Sequence, residues 1–256
     1  MFTVFSDTKE MMRDRIFLRK AVLIALPVAL QGMLNTVVNL VDTMMIGRLG
    51  ETAIAAVGLA NKVFFVFALL VFGVVSGSGV LAAQYWGNQD VKSIRKVTGL
   101  ALLIALTGSL LFVVPSVFCP ELVMRIFTDS EKAIQTGAAY LAVAALSYPF
   151  TAVTNTYVAM QRAAGRVKAP VAISLMAIVI NIVLNYVLIF GHFGAPRLGV
   201  TGAAIATLTA RITESVAILT VVYVTRSPIA GKLREMFGYS RAFIRQFAAT
   251  ATPVIA

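Results

Sequence analysis

Six long stretches of mostly apolar residues dominate this chain: Ala21–Ile46, Ala53–Ala83, Val97–Val117, Thr136–Met160, Val171–Phe190 and Thr201–Val224. A helix crosses the hydrocarbon layer of a bilayer with about 20 such residues, so each stretch is long enough to span it. A seventh stretch opens at Phe247 and runs to Ala256, where the sequence stops. No stretch alternates apolar and polar residues as a membrane barrel strand does. Hydrophobic residues make up 59% of the chain and charged residues 13%, whereas soluble domains carry about 25% charged. That much apolar surface needs lipid as its solvent, and the expected class is an all-α membrane protein. Pro27 and Pro149 fall inside spans, where neighbouring helices can satisfy the backbone groups they free. The first stretch is too long for the roughly 7–15-residue core of a signal peptide and reads as a retained span.

The net charge of +11 is not spread like that of a nucleic-acid binder, whose basic residues interleave with aromatics on one soluble face. The basic residues sit in the connections, and they alternate. The N-terminal tail holds Lys9, Arg13, Arg15, Arg19 and Lys20. The second and fourth connections hold Lys92, Arg95, Lys96, Arg162, Arg166 and Lys168. The sixth holds Arg226, Lys232, Arg234, Arg241 and Arg245. That makes sixteen on one side. The odd-numbered connections hold four: Arg48, Arg125, Lys132 and Arg197. Basic loops stay cytoplasmic, so the expected N-terminus is cytoplasmic, in an inner membrane. A short internal repeat accompanies this pattern. Leu18-Arg19 precedes Pro27-Val28 by the same interval that separates Ile244-Arg245 from Pro253-Val254, at an offset of 226 residues. Repeated halves of equal topology are a transporter signature.

Polar residues inside the spans need a reason, because a charge at mid-membrane costs about 2.5–3.5 kcal/mol on insertion scales. Gln31, Asn35, Asn39 and Asp42 fall within about 80° of one another on a helical wheel. Tyr140, Ser147, Thr151 and Asn155 share a face of the fourth stretch. Ser174, Asn181 and Asn185 share one of the fifth, and Thr207, Arg211 and Glu214 one of the sixth. Hydrogen-bonding glue between helices explains isolated Ser and Thr. It explains Asp42 poorly, because glue does not require a charge. Four matched stripes point to a shared polar cavity. Within it Asp42 can exchange a proton or, with the oxygens of Asn181, Asn185 and Thr207, hold a small hard cation such as sodium. Arg211 and Glu214, three apart, are spaced to pair with each other. Lys62 is placed to snorkel toward an interface.

A family pattern runs through these residues. Leu40-Val41-Asp42-Thr43-Met44-Met45-Ile46-Gly47-Arg48-Leu49-Gly50 resembles the first-helix signature of the multidrug and toxic compound extrusion (MATE) family. Ala83-Gln84-Tyr85-Trp86-Gly87, Arg162-Ala163-Ala164-Gly165-Arg166, Asn181-Ile182-Val183-Leu184-Asn185-Tyr186 and Gly202-Ala203-Ala204-Ile205-Ala206-Thr207 follow in the family's order. The resemblance covers about residues 15–256. It implies an antiporter with twelve spans in two six-helix lobes, exporting cationic or amphipathic small molecules against sodium ions or protons. In that scheme residues 1–20 are a cytoplasmic tail and 21–225 the N-terminal lobe. Residues 226–246 are a cytoplasmic inter-lobe linker, and 247–256 begin a truncated seventh helix. The second lobe would be the main partner besides the bilayer. By position, Asp42 matches the coupling carboxylate, Asn181 and Thr207 its partners, Ala203 a backbone carbonyl and Tyr140 a cavity tyrosine. Some members carry a second Asp where this chain has Asn185, which leaves the coupling ion open. Gln31, Asn35, Asn39, Ser147, Thr151 and Asn155 would complete the substrate cavity.

Other readings fit less well. A lipid-linked sugar flippase of the same superfamily would favour Arg and Lys in the cavity to hold phosphates, and only Arg211 lies on a cavity stripe. An inactive half-transporter is a third reading. An intramembrane enzyme needs paired acids, a His cluster or a nucleophile beside a base. The chain has one His and one Cys, with His192 in a connection and Cys119 reading as a small apolar filler. No cofactor, metal centre of the cysteine or histidine kind, or nucleic acid is expected.

Overall fold

The computed structural model describes residues 15–255, except the side chains of residues 15–21, 23–25, 27, 28, 35, 233, 242, 246 and 251–255. The predicted tail therefore lies outside the described residues up to residue 14, as do the side chains of Pro27 and Asn35. Helix α1 runs Arg15–Gly47, α2 Glu51–Gly87 and α3 Val91–Phe118. A short α4, Pro120–Arg125, precedes α5, Glu131–Ala144, which continues through a 3-10 turn at Ala145–Ser147 into α6, Tyr148–Ala163. Then come α7, Lys168–Phe190, α8, Gly199–Val224, the four-residue α9, Leu233–Met236, and α10, Arg241–Ile255. Five of the described segments are long and apolar enough to cross a membrane: α2, α3, the α5–α6 pair, α7 and α8. Helix α1, at 33 residues, carries the first apolar stretch.

The bundle packs through small residues and one aromatic cluster. Ala56, Ala60, Ala101, Ala105, Ala204 and Ala206 are buried and let backbones approach closely, which drives association in lipid, where apolar area alone gives no preference. Phe67 of α2 stacks on Tyr148 of α6 with ring centroids 4.7 Å apart, and Phe64 and Phe112 close the cluster. Phe72, Leu111, Val179 and Val183 point outward and are more than half exposed. An outward apolar face of this kind suits lipid and not water.

The connections are capped and tied. Asp90 accepts from the Ser93 amide at 3.1 Å, capping α3. A hydrogen bond from the Ser93 side chain above all, then those from the Ser93 and Lys92 amides and the charge of Lys96, holds its carboxyl below the ordinary value. The segment after α8 is a strap and not a loose linker. Ile229 and Met236 are fully buried, Arg95 Nε donates to the Pro228 carbonyl at 3.2 Å, and Tyr223 Oη donates to the Gly231 carbonyl at 3.1 Å. A Cβ at Gly99 would land on the Met236 carbonyl, so only glycine fits where α9 crosses α3.

One boundary and one burial differ from the sequence reading. Helix α10 starts at Arg241, not Phe247, with Ser240 Oγ accepting from the Phe243 amide at 3.2 Å. Counting apolar residues misses the opening residues of the helix, where Arg241 and Arg245 are exposed. Cys119 is exposed at the junction of α3 and α4 and fills no core.

Candidate functional site

A cavity of about 640 Å³ opens between α1, α2, α5, α7 and α8. Its polar wall follows from helical spacing. Asn39, Asp42 and Thr43 line it from α1, Ser174, Asn181 and Asn185 from α7, and Ala203, Thr207, Arg211 and Glu214 from α8. On each helix these residues recur at three, four or seven positions, which puts them on one face. Gly202 lets α7 and α8 meet backbone to backbone: a Cβ there would sit 2.6 Å from the Leu188 carbonyl oxygen.

Asp42 is half-buried at the centre of this wall. Asn185 Nδ2 donates to its Oδ1 at 2.6 Å, a short bond as charge-assisted ones are. In one orientation of the Asn181 amide, its Oδ1 accepts from Asn185 Nδ2 at 3.3 Å and its Nδ2 reaches Thr207 Oγ1 at 3.5 Å. Turned over, the same amide donates to both Asp42 oxygens at 3.3 Å. The turned orientation is the one the surroundings favour, since it puts a donor on the carboxylate and leaves the amide oxygen facing the Thr207 hydroxyl. Asn185 is 1% exposed, and its Oδ1 has no hydrogen-bond partner among the described residues. The Asp42 oxygens and the side-chain oxygens of Asn181 and Thr207 lie along one short chain of contacts, with that spare acceptor beside them.

One turn further along α8, Arg211 Nη1 pairs with Glu214 Oε2 at 2.8 Å, and Ser174 Oγ donates to Glu214 Oε1 at 2.7 Å. Glu214 is thus satisfied by its neighbours, as the three-residue spacing predicted. Tyr140 also lines the cavity, and its hydroxyl reaches Asn61 Oδ1 at 3.5 Å.

The family profile described as MatE matches residues 27–187, more than half of the chain. The chain belongs to the MatE family. Over 196 residues it is 34% identical to a protein named probable multidrug resistance protein YoeA from Bacillus subtilis, covering 76% of this chain and 42% of that one. It is 30% identical over 238 residues to a probable multidrug resistance protein NorM from Bradyrhizobium diazoefficiens, covering 90% of this chain and 50% of the relative. In fold it superposes, with a TM-score of 0.82 and 22% identity, on an outward-facing multidrug resistance MATE family transporter, covering 92% of this chain and 51% of that one. A transporter from Pyrococcus furiosus, described as having a binding pocket of reversed polarity, gives the same TM-score at 23% identity. The chain spans about half the length of the relatives it matches.

In this MatE chain the structure brings together Asp42, Asn181, Asn185, Ala203, Thr207, Asn39, Tyr140 and Ser147 on one cavity. It separates three residues that the sequence placed there. Gln31 is buried and accepts from Arg162 Nη2 at 2.9 Å, outside the cavity lining. It shares a face with Asp42 but lies three turns away, about 16 Å along the helix at 1.5 Å per residue. Thr151 is buried with its hydroxyl on the Ser147 carbonyl at 3.0 Å, and Asn155 is exposed away from the cavity. The 3-10 turn at Ala145–Ser147 breaks the fourth span. Positions after it no longer follow the wheel drawn through Tyr140, because a 3-10 turn advances about three residues per turn and not 3.6. Asn61 and Thr43 line the cavity and were missed. Asn61 is legible as a polar residue in an apolar helix, next to the charged Lys62. The Lys62 ammonium sits 5.9 Å from the Phe127 ring, beyond the end of α4.

Proposed function

We propose that the whole protein is a secondary antiporter that exports cationic or amphipathic small molecules, coupled to entry of sodium ions or protons through Asp42. The observation that carries this reading is the Asp42 carboxylate on the wall of a 640 Å³ cavity, held by Asn185 at 2.6 Å. Multidrug resistance names among the relatives support the substrate class. Hard oxygens from Asn181, Asn185 and Thr207 around one carboxylate suit a weakly held sodium ion, and the carboxylate alone suits a proton. Because both would use one group, each lowers the apparent affinity of the other. A flippase reading is not favoured, since Arg211 is already engaged by Glu214.

The test is dye efflux from vesicles holding the full-length protein, driven by an inward sodium gradient at constant pH or an inward proton gradient at constant sodium. At least one gradient is expected to accelerate efflux several-fold. Asn185→Asp, which sets a second carboxylate against Asp42, should strengthen the sodium dependence, because the pair needs a shared cation or proton between like charges. Efflux indifferent to both gradients would remove the antiport reading.

We also propose an inner-membrane location with a cytoplasmic N-terminus, on the sixteen-to-four asymmetry of basic residues. Single cysteines placed in 92–96 or 162–168, on a Cys119→Ser background, should resist an impermeant thiol reagent in intact cells. Ready labelling from outside reverses the topology.

A further inference from the structure

At the start of the third span, away from the Asp42 wall, the chain forms a second cavity of about 170 Å³. Lys92, Arg95 and Lys96 line it from the first two turns of α3, at spacings that put them on one face. Arg234 and Glu235 of α9, with Gly238 just beyond, line it from the other side. Only one of its four cations is neutralised within it. Arg95 Nη1 pairs with Glu235 Oε2 at 3.0 Å, and the same oxygen accepts from the Lys232 amide at 2.9 Å. The Lys232 amide above all, with the Arg95 and Lys232 charges, holds the Glu235 carboxyl below its ordinary value. Lys92, Lys96 and Arg234 make no ion pair among the described residues. Asp90, whose charge Lys96 feels, already caps the Ser93 amide.

The cavity is preformed. Its α9 wall is fixed by the contact of Gly99 with the Met236 backbone and by Arg95 on Pro228, so binding need not order a loose segment. It also lies at a defined depth. The apolar run of α3 starts at Val97, immediately after Lys96, which places the cations where hydrocarbon gives way to water. Phe237, 45% exposed beside the cavity, offers an apolar contact at that level, where aromatic rings favour the interface.

We propose that this cavity binds the phosphate headgroup of an anionic membrane phospholipid. Lys and Arg side chains supply charge and donors for the phosphate oxygens. The volume admits a headgroup and falls below the roughly 300–1,000 Å³ of cavities for drug-sized molecules. Basic pockets between membrane helices recognise lipid headgroups in this way. Bound there, the lipid would bridge α3 to the strap that leaves α8, fastening the end of the six-helix unit to the bilayer surface.

The test uses the purified protein in detergent with three probes: short-chain phosphatidylglycerol, short-chain phosphatidylcholine and inorganic phosphate. Phosphatidylglycerol should bind at least about tenfold more tightly than phosphatidylcholine, whose choline cancels the phosphate charge. The Lys92→Gln/Lys96→Gln/Arg234→Gln variant should lose about a hundredfold in that affinity, from roughly fivefold per residue. Arg241→Gln/Arg245→Gln, basic residues outside the cavity, should bind like the wild type. If the triple variant melts early without lipid, Arg234→Gln alone is read, with a loss of about fivefold expected. Undiminished binding in these cavity variants would overturn the proposal. So would inorganic phosphate binding as tightly as phosphatidylglycerol, which would mark a site for a free anion.

Discussion

Replacing Asp42 by Asn is expected to abolish coupled efflux while leaving the fold almost intact. The two side chains have the same shape, and an amide oxygen at position 42 can still accept from Asn185 Nδ2, now 2.6 Å from the carboxylate. The stability change should be limited to the difference between a charge-assisted and a neutral hydrogen bond, about 1 kcal/mol. Transport loses much more. Among the polar residues on the Asp42 stretch of the wall, Asn39, Thr43, Asn181, Asn185 and Thr207 are neutral, and Glu214 is held by Arg211 and Ser174. Among the described residues of this wall, Asp42 is the carboxylate without an ion-pair partner. Coupling between two ligands is typically about 1–3 kcal/mol, so gradient-driven dye efflux should fall ten- to a hundredfold while the purified protein melts within a few degrees of the wild type. Efflux that keeps its rate and its ion dependence in Asp42→Asn would place the coupling group elsewhere.

Gly202→Val should destroy the site by a different route. The α7–α8 pair is where Asn181 and Asn185 meet Thr207, and it closes over Gly202. A Cβ would come within 2.6 Å of the Leu188 oxygen, 2.7 Å of its carbonyl carbon and 3.1 Å of the Ile189 nitrogen. These are backbone atoms, and they cannot turn aside as a side chain could. Overpacking a well-fitted core costs about 1–3 kcal/mol, and valine adds two methyl groups to that clash. The variant should be recovered in much lower yield, with a melting temperature several degrees down, and Gly202→Ala should lie between it and the wild type. A valine variant that melts like the wild type would mean that α7 and α8 have room to separate, and the hydrogen bonds around Asp42 would need another explanation.

These two positions also mark the boundary between what is legible in the sequence and what is not. Asp42, Asn181, Asn185 and Thr207 could be grouped before any coordinates, because each sits on an unbroken helix whose period is fixed by backbone hydrogen bonding. The same regularity made the spans countable and made the Arg211–Glu214 pair predictable. It failed at Gln31, which has the right direction but the wrong depth. A helical wheel records angle and discards the rise along the axis. It failed again at Thr151 and Asn155, where the 3-10 turn at Ala145–Ser147 resets the phase.

Length, hydropathy and helical period are properties of one segment at a time, and the sequence by itself determined what depends on them: spans, faces and a charge that needs a partner. The height at which α1 meets α7, the close approach at Gly202, and the docking of the 227–236 strap against Gly99 and Arg95 were decided only by the tertiary structure. Each of these depends on how side chains from distant segments fit together, and no local periodicity encodes that fit.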